Sequence, residues 1–143
     1  MKKNFRKGNF VISTDKSKLD FKVIHGFLSS SYWANKRQPE VTKRSIKNSF
    51  CFGIYKNKSQ IGFARVITDY ATFAYLADVF VIEEYRGRGL SKWLMEVIMN
   101  CKELQDLRRW FLATKDAHGL YEKFGFTSLK EPEKIMEMFR KDL

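Results

Sequence analysis

Cysteine is scarce in this chain of 143 residues, and the two that occur are far apart. Cys51 and Cys101 form neither a redox pair nor a cluster with metal-binding spacing. Sparse cysteine is typical of a reducing compartment, because disulfide frameworks belong to oxidising ones. The composition therefore excludes a disulfide scaffold and a zinc module, and we expect a cytoplasmic protein without a metal.

Long apolar runs are also missing. No stretch approaches the roughly 20 apolar residues of a membrane span, and the basic start, residues 1–7, leads into no apolar segment of a signal peptide. Two prolines and eight glycines leave no room for a low-complexity linker. With 44% hydrophobic residues the chain can still bury a sizeable core. We expect one domain over residues 1–143 and no membrane contact.

Positive charge, by contrast, is plentiful. Lys and Arg number 27 against 16 Asp and Glu, which gives a formal net charge of +11. Such a surface could bind nucleic acid, or it could simply be solvated and attract a polyanionic cofactor. The basic residues are spread over nearly every segment, and no helix-turn-helix, zinc-ligand or aromatic RNA-binding pattern accompanies them. We favour the second interpretation, so nucleic acid is not the expected partner.

The strongest local pattern is a strand, a glycine turn and a helix within residues 75–95. A short apolar run through Ile82 has strand length, and apolar residues from Leu90 to Cys101 recur at helical spacing. Between them, Gly87 and Gly89 allow backbone conformations that other residues rarely adopt. A turn of this kind points unpaired N–H groups outward at the positive end of the helix dipole, which suits phosphate. The basic side chains nearby are Arg86, Arg88 and Lys92.

The rest of the chain shows an alternation of short strands and helices. We predict strands at 9–13, 50–55, 60–67 and 108–114, and helices from Ser13 or Thr14 to Leu28, from Pro39 to Asn48 and from Ala117 to Lys123. Residues 126–128 and 134–139 could be two closing strands, although the last could equally be helical by pattern. With the central strand and helix, the predicted order is β-α-α-β-β-β-α-β-α-β-β.

Two motifs in this order resemble a known family. The segment Arg86-Gly87-Arg88-Gly89-Leu90-Ser91 resembles the Arg/Gln-x-x-Gly-x-Gly/Ala signature of the GNAT superfamily of N-acetyltransferases, with Ser91 in the place of the last glycine or alanine. The segment 120–126 resembles the family's helix that ends in Tyr-x-x-x-Gly-Phe. The resemblance spans about residues 50–126 and implies an α/β fold (α+β, mixed sheet): a central twisted mixed sheet flanked by helices.

The same resemblance implies acetyl-CoA as cosubstrate. Its pyrophosphate would lie on the turn, at Arg86, Gly87, Arg88, Gly89, Leu90, Ser91 and Lys92. The backbone of Val79, Phe80 and Val81 would pair with the pantetheine arm and offer an N–H group to the thioester carbonyl, while their side chains belong to the core. Thr114 stands where much of the family has asparagine.

Two residues are candidates for proton transfer. Tyr121 matches the family tyrosine that donates a proton to the departing thiolate, and a phenol with a pKa near ~10 is protonated at neutral pH. The alternative is a ring that only packs on Phe124 and Phe126. Asp78 is an unusual carboxylate inside an apolar strand and could be the general base. A carboxylate paired with a nearby Arg or N–H group is an equally weighted alternative.

The acceptor pocket is expected between the first two helices, where Tyr32, Trp33 and Arg37 lie. Rings plus a cation suit a small amine that carries an apolar or carboxylate group, although the two rings could equally cap the core. The sequence thus predicts an N-acetyltransferase that transfers an acetyl group from acetyl-CoA directly to a primary amine of a small molecule or peptide. The alternative function is an acyl-CoA-binding sensor or partner protein without turnover. For the oligomeric state, a homodimer is left open.

Overall fold

The computed structural model describes residues 2–143, so the first residue of the predicted domain lies outside it. Six strands form one sheet in chain order, and four helices flank it. The strands are β1 (Asn4–Lys7), β2 (Phe10–Ser13), β3 (Phe50–Lys56), β4 (Ser59–Thr68), β5 (Phe73–Val81) and β6 (Arg109–Leu112). The helices are α1 (Phe21–Ser29), α2 (Pro39–Lys47), α3 (Leu90–Met99) and α4 (His118–Glu122). Strands β1 to β5 are antiparallel and β6 is parallel to β5, so the predicted mixed sheet is confirmed.

Apolar side chains cover both faces of this sheet. On one face α3 contributes Leu94, Met95 and Ile98, which pack with residues of β2 to β5. On the other face α1 contributes Ile24 and Leu28 to a smaller cluster. Because both faces are covered, β4 is buried along most of its length and reads as a nearly continuous apolar run. Within residues 2–143, no helix is long and apolar enough to cross a bilayer.

The first helix begins later than predicted. Asp20 is its N-cap, and its carboxylate accepts hydrogen bonds from the N–H groups of Lys22 and Val23. The expected caps have other partners: Ser13 accepts from the N–H of residue 15, and Thr14 from that of residue 3. Residues 16–18 form a separate short 3-10 helix. The prediction of one helix from Ser13 or Thr14 to Leu28 was therefore wrong.

The two ends of the sheet also differ from the predicted order. An additional strand, β1, precedes the first predicted one and joins it through Gly8, whose φ is +59°. In the described chain, residues 126–128 and 134–139 form no strand. The regular element in this region is a short 3-10 helix at Pro132–Lys134. A strand forms only where its N–H and C=O groups find a partner, and neither segment pairs with β6. The central strands and helices lie within a few residues of their predicted positions.

Strand β5 changes its neighbours along its length. It pairs with β6 only as far as Leu76, opposite Leu112, and then runs on to Val81 beside no further strand of the described chain on that edge. Its other edge stays paired with β4, across a β-bulge at which Asp78 has φ +54°. The sheet therefore splays into a gap between β5 and β6, next to the start of α3.

Candidate active site

The glycine turn ends at the first residue of α3. Gly87 and Gly89 have φ values of +78° and +76°, and Gly89 is the N-cap of the helix. Glycine has no side chain to cap the first turn, so the first N–H groups of α3 are left to other acceptors. A Cβ at either glycine would meet no heavy atom within 4 Å. The turn thus needs glycine for its left-handed conformation, and the space above it is open to a ligand.

Basic side chains surround this turn. The Arg86 Nε donates to the carbonyl of Val81 at 3.1 Å, which fastens the turn to the end of β5. The Arg88 guanidinium lies 5.2 Å from the Tyr85 ring centroid. In the part of the chain that the structure describes, Arg86, Arg88 and Lys92 take part in no ion pair. Of the three, Arg86 and Lys92 line a cavity of about 110 Å³ at the turn, where their charges are available to an anion.

Beyond the turn, the splayed part of β5 carries the predicted pantetheine-binding residues Val79, Phe80 and Val81. Phe80 is buried on the α1 side, where its ring stacks on Phe27 with the centroids 4.0 Å apart. Val79 and Val81 pack on the α3 side. The side chains are therefore core, as expected, and the backbone edge of this segment faces the gap. A strand-like ligand could lie along that edge.

Asp78 is the centre of a buried polar cluster at the bulge. One carboxylate oxygen accepts from Trp33 Nε1 at 2.9 Å; the other accepts from Arg37 Nη1 at 2.8 Å and Arg65 Nε at 2.9 Å. Arg65 also donates to Ser49 Oγ at 3.1 Å. Only 2% of the Asp78 side chain is exposed. Both oxygens thus have protein donors, and two guanidinium groups share one carboxylate.

This cluster affects the assignment of the base. Burial acts to raise the pKa of Asp78, but the hydrogen bond from Arg37 and the charges of Arg65 and Arg37 outweigh it and lower the pKa below its ordinary value. A carboxylate with a lowered pKa and no free oxygen is poorly suited to take a proton from an amine. The geometry therefore favours the paired alternative, in which Asp78 positions Trp33 and Arg37, over the role of general base.

Tyr121 lies in α4, is buried, and lines a groove together with Leu112 and Thr114 at the end of β6. Its ring meets Phe126 edge to face, with 6.0 Å between centroids, so the predicted packing is present. Burial, together with Tyr32 and Asp116 nearby, raises the pKa of Tyr121 to about 12. Among residues 2–143, none forms a hydrogen bond with its hydroxyl group. The phenol thus stays protonated over the physiological range, as a proton donor must.

The predicted acceptor residues lie on the loop between α1 and α2. Trp33 and Arg37 are drawn together by Asp78, while the ring of Trp33 is still 40% exposed. Tyr32 is 54% exposed, and its hydroxyl accepts from the N–H of Lys115 at 3.0 Å, which links this loop to the one before α4. The aromatic rings therefore form an exposed wall above the core as well as a cap over it.

Sequence reasoning missed Arg65, which completes the Asp78 cluster. The signal was available, because Arg65 is a charged residue inside an apolar strand, as Asp78 is, and the two strands were predicted to be consecutive. Opposite charges buried in neighbouring strands usually pair. The stacking of Phe27 on Phe80 also could not be predicted from the spacing of residues along the chain.

The remaining reactive side chains lie outside this site. Cys51 and Cys101 are almost fully buried, and burial raises the pKa of both thiols, that of Cys51 to about 11. Neither is a thiolate nucleophile at neutral pH. Within the described residues, no group of three or more His, Cys, Asp or Glu side chains could hold a metal ion.

A mixed sheet that splays beside a glycine turn is the architecture of an acyltransferase of the GNAT type. The family model for the acetyltransferase (GNAT) domain matches residues 47–128, which is more than half of the chain. A solved GNAT-family structure from Xanthomonas campestris pv. campestris is 50% identical with a TM-score of 0.91, and the match covers 94% of this chain and 95% of that one. A Gibberella zeae protein that carries an acetyltransferase name is 30% identical over 84% of this chain and 80% of its own length. The chain belongs to the GNAT family of acetyltransferases.

A more distant solved structure also shares the fold. A Clostridium acetobutylicum protein solved with acetyl-CoA shares the fold at 14% identity, with a TM-score of 0.61 and coverage of 92% of this chain and 95% of that one. At this identity the likeness concerns the fold alone.

Proposed function

We propose that this acetyltransferase uses acetyl-CoA and transfers the acetyl group directly to a primary amine of a small molecule or peptide. We further propose that residues 1–143 act as one acetyltransferase domain. The observation that carries the proposal is the position of the splayed gap, which opens directly beside the glycine turn. One ligand can thereby place a pyrophosphate on the turn and a pantetheine arm along β5.

The residues of the chain fit such a ligand. The N–H groups at the start of α3 bind pyrophosphate, and Arg86, Arg88 and Lys92 supply counter-charge, together with Ser91 Oγ on the same turn. The free backbone edge of Ala77–Val81 pairs with the pantetheine amides and donates to the thioester carbonyl. When bound, acetyl-CoA supplies an acetyl group activated as a thioester. Positioning it against the amine makes the reaction effectively intramolecular.

In the transfer, the amine nitrogen bonds to the carbonyl carbon and the carbon–sulfur bond breaks. Tyr121 donates its phenolic proton to the sulfur, since it lies near the end of β6 and stays protonated, and the proton that the nitrogen loses as the amide forms restores the phenol. The ammonium form of the substrate must first lose a proton to solvent, because Asp78 is committed to its donors. An acyl-enzyme is not required, since both thiols are buried and protonated.

The acceptor lies on the wall formed by Tyr32, Trp33 and Arg37. Two exposed rings accommodate an apolar part, and the Arg37 donors that Asp78 does not use can meet an anionic group. The alternative of a non-catalytic acyl-CoA sensor is not favoured, because the chain matches the acetyltransferase (GNAT) domain and a 30% identical relative carries an acetyltransferase name.

Calorimetric titration with acetyl-CoA, with CoA and ATP as controls, tests the proposal first. Micromolar binding of acetyl-CoA, followed by thiol release with members of a primary-amine panel, is the expected result. A folded protein that binds no acetyl-CoA would overturn the proposal. Salt-dependent binding of DNA or RNA in its place would assign the basic surface to nucleic acid.

A further inference from the structure

Strand β6 leaves one edge of the sheet unpaired beside a large groove. On one side β6 pairs with β5, and on the other no strand of residues 2–143 covers it. The groove there has a volume of about 930 Å³, and its apolar lining comes from Trp110, Leu112, Phe124 and Phe126. An edge strand with unpaired N–H and C=O groups next to apolar rings is a template for another strand.

The end of the same chain has the complementary character. Met136, Met138 and Phe139 are exposed by 94%, 81% and 78%, although large apolar side chains are normally covered when they occur together. The backbone of Ile135 is already extended, with φ −109° and ψ 131°. The tail, residues 135–139, therefore begins in an extended conformation, carries exposed apolar side chains and pairs with no strand of the described residues.

The accessible surface area of the chain is larger than that of an ordinary folded monomer of its mass. The accessible area is 9791 Å² for a chain of 16.9 kDa. A folded monomer of that mass exposes about 7,700 Å², so the excess is about 2,100 Å². A specific interface removes roughly 800 Å² from each partner, and exchanged elements remove more. The excess is thus large enough for a stable dimer.

The tail of the same copy does not fill the groove. Lys134 and Ile135 still lie at its rim, but the side chains after them point into solvent. We propose that the groove beside β6 binds the tail of a second copy, and that two copies exchange residues 135–139 reciprocally. Such an exchange is isologous and closes after two chains. Glu137, the acidic residue of the tail, would then approach the basic residues Arg108 and Arg109 of the groove.

This exchange also reaches the candidate active site. Tyr121 and Thr114 line the same groove as Trp110 and Phe126. A strand from the second copy would therefore form part of the wall behind Tyr121. The proposal stands on the tail and the free edge and does not depend on the identity of the cosubstrate.

Light scattering after size exclusion of the full chain tests the dimer. Wild type and Met138→Leu are expected to have twice the mass of 16.9 kDa, and Met138→Pro is expected to be monomeric. Proline removes an N–H donor from a paired strand, whereas an exposed residue of a monomer would tolerate it. A wild-type monomer at all concentrations, or a dimer that Met138→Pro leaves intact, would overturn the proposal.

Cross-linking separates exchange from any other dimer and does not need the proline variant. One sample of full-length protein carries Met138→Cys and a second carries Arg109→Cys; the samples are mixed, exchanged and treated with a short bis-maleimide. A covalent heterodimer is expected in the mixture. A chain with both substitutions that cross-links only within itself would show that each tail binds its own groove, and would overturn the proposal.

Discussion

Asp78 and Arg65 place opposite charges inside two neighbouring apolar strands, and Arg37 joins them from a loop. A buried ion pair adds little net stability, but removing one partner leaves an unpaired buried charge. The cluster is therefore sensitive to the loss of its carboxylate. Since it also fixes Trp33, its second effect is to hold the loop between α1 and α2 on the sheet.

Asp78→Asn should destabilise the fold by roughly 3–5 kcal/mol, because Arg65 and Arg37 lose their shared charge. Urea unfolding at neutral pH measures this, and Asp106→Asn, an exposed carboxylate with the same chemical change, is the control. Because the pKa of Asp78 is lowered on folding, its contribution is present above the unfolded value of about 3.9. That contribution is lost as the pH falls through the lower folded pKa. Equal stability of the two variants would contradict the paired role.

The pH–rate profile decides between positioning and base catalysis at Asp78. If the residue only positions Trp33 and Arg37, the pH–rate profile of Asp78→Asn should have the same apparent pKa values as that of wild type. The KM of the variant for the amine should be higher than that of wild type. Loss of the ascending limb would instead restore the base role.

Tyr121→Phe should lower kcat by about 10²–10⁴-fold, the usual contribution of a general acid, and leave acetyl-CoA affinity nearly unchanged. The raised pKa of Tyr121, about 12, means that wild-type kcat should show no descending limb from this group below about pH 10. Steady-state thiol release measures both, with the exposed Tyr70→Phe as control. Unchanged kcat would leave only the packing role against Phe126.

Single residues differ in how far the sequence reveals them. The left-handed turn at Gly87 and Gly89 could be predicted from two glycines between a strand and a helix. Tyr121 was singled out only by its resemblance to a family motif, since its spacing alone favours a ring that packs on Phe124 and Phe126. The pairing of Arg65 with Asp78 depends on the register between β4 and β5 and on the bulge. The short sequence patterns around Arg65 and Asp78 determine neither the register nor the bulge.

At the scale of elements, the start of α1 shows why caps are hard to choose. Ser13, Thr14, Asp15 and Asp20 are all good caps by type. Asp15 caps a short 3-10 helix, and only Asp20 is followed by a sustained helix. The choice depends on Ser13 being the last paired residue of β2, opposite Asn4 and Gly53, and on Thr14 accepting from the N–H of residue 3. These contacts lie outside the local sequence pattern.

Gly89→Glu should weaken acetyl-CoA binding by at least tenfold, because it places negative charge where the phosphates should lie and strains a residue at φ +76°. Gly89→Ala introduces the backbone strain without the charge and should lose less affinity for acetyl-CoA. Gly8→Glu, at φ +59° in the β1–β2 turn, carries a similar strain and the same charge away from the site. Calorimetric titration compares the three. If Gly8→Glu and Gly89→Glu bind equally well, the turn does not hold the phosphates.

At the scale of the whole molecule, the two predicted closing strands mark the limit of sequence reasoning. For the last of them the pattern fits a strand and a helix equally well, and residues 135–139 form neither. What this segment lacks in residues 2–143 is an adjacent strand. Whether a strand forms depends on its partner, and a partner in a second copy leaves no trace in the spacing of one chain.

Exchange of tails makes stability depend on protein concentration. For a dimer, a tenfold rise in concentration stabilises the folded state by about 1.4 kcal/mol, which for two chains of this length raises Tm by about 2 °C. Calorimetric scans over a hundredfold range should show this slope for wild type and for Met138→Leu. Met138→Pro should have a Tm that is independent of concentration, because a monomer unfolds without dissociation. A flat wild-type series, or a slope that Met138→Pro retains, would contradict the exchange of residues 135–139.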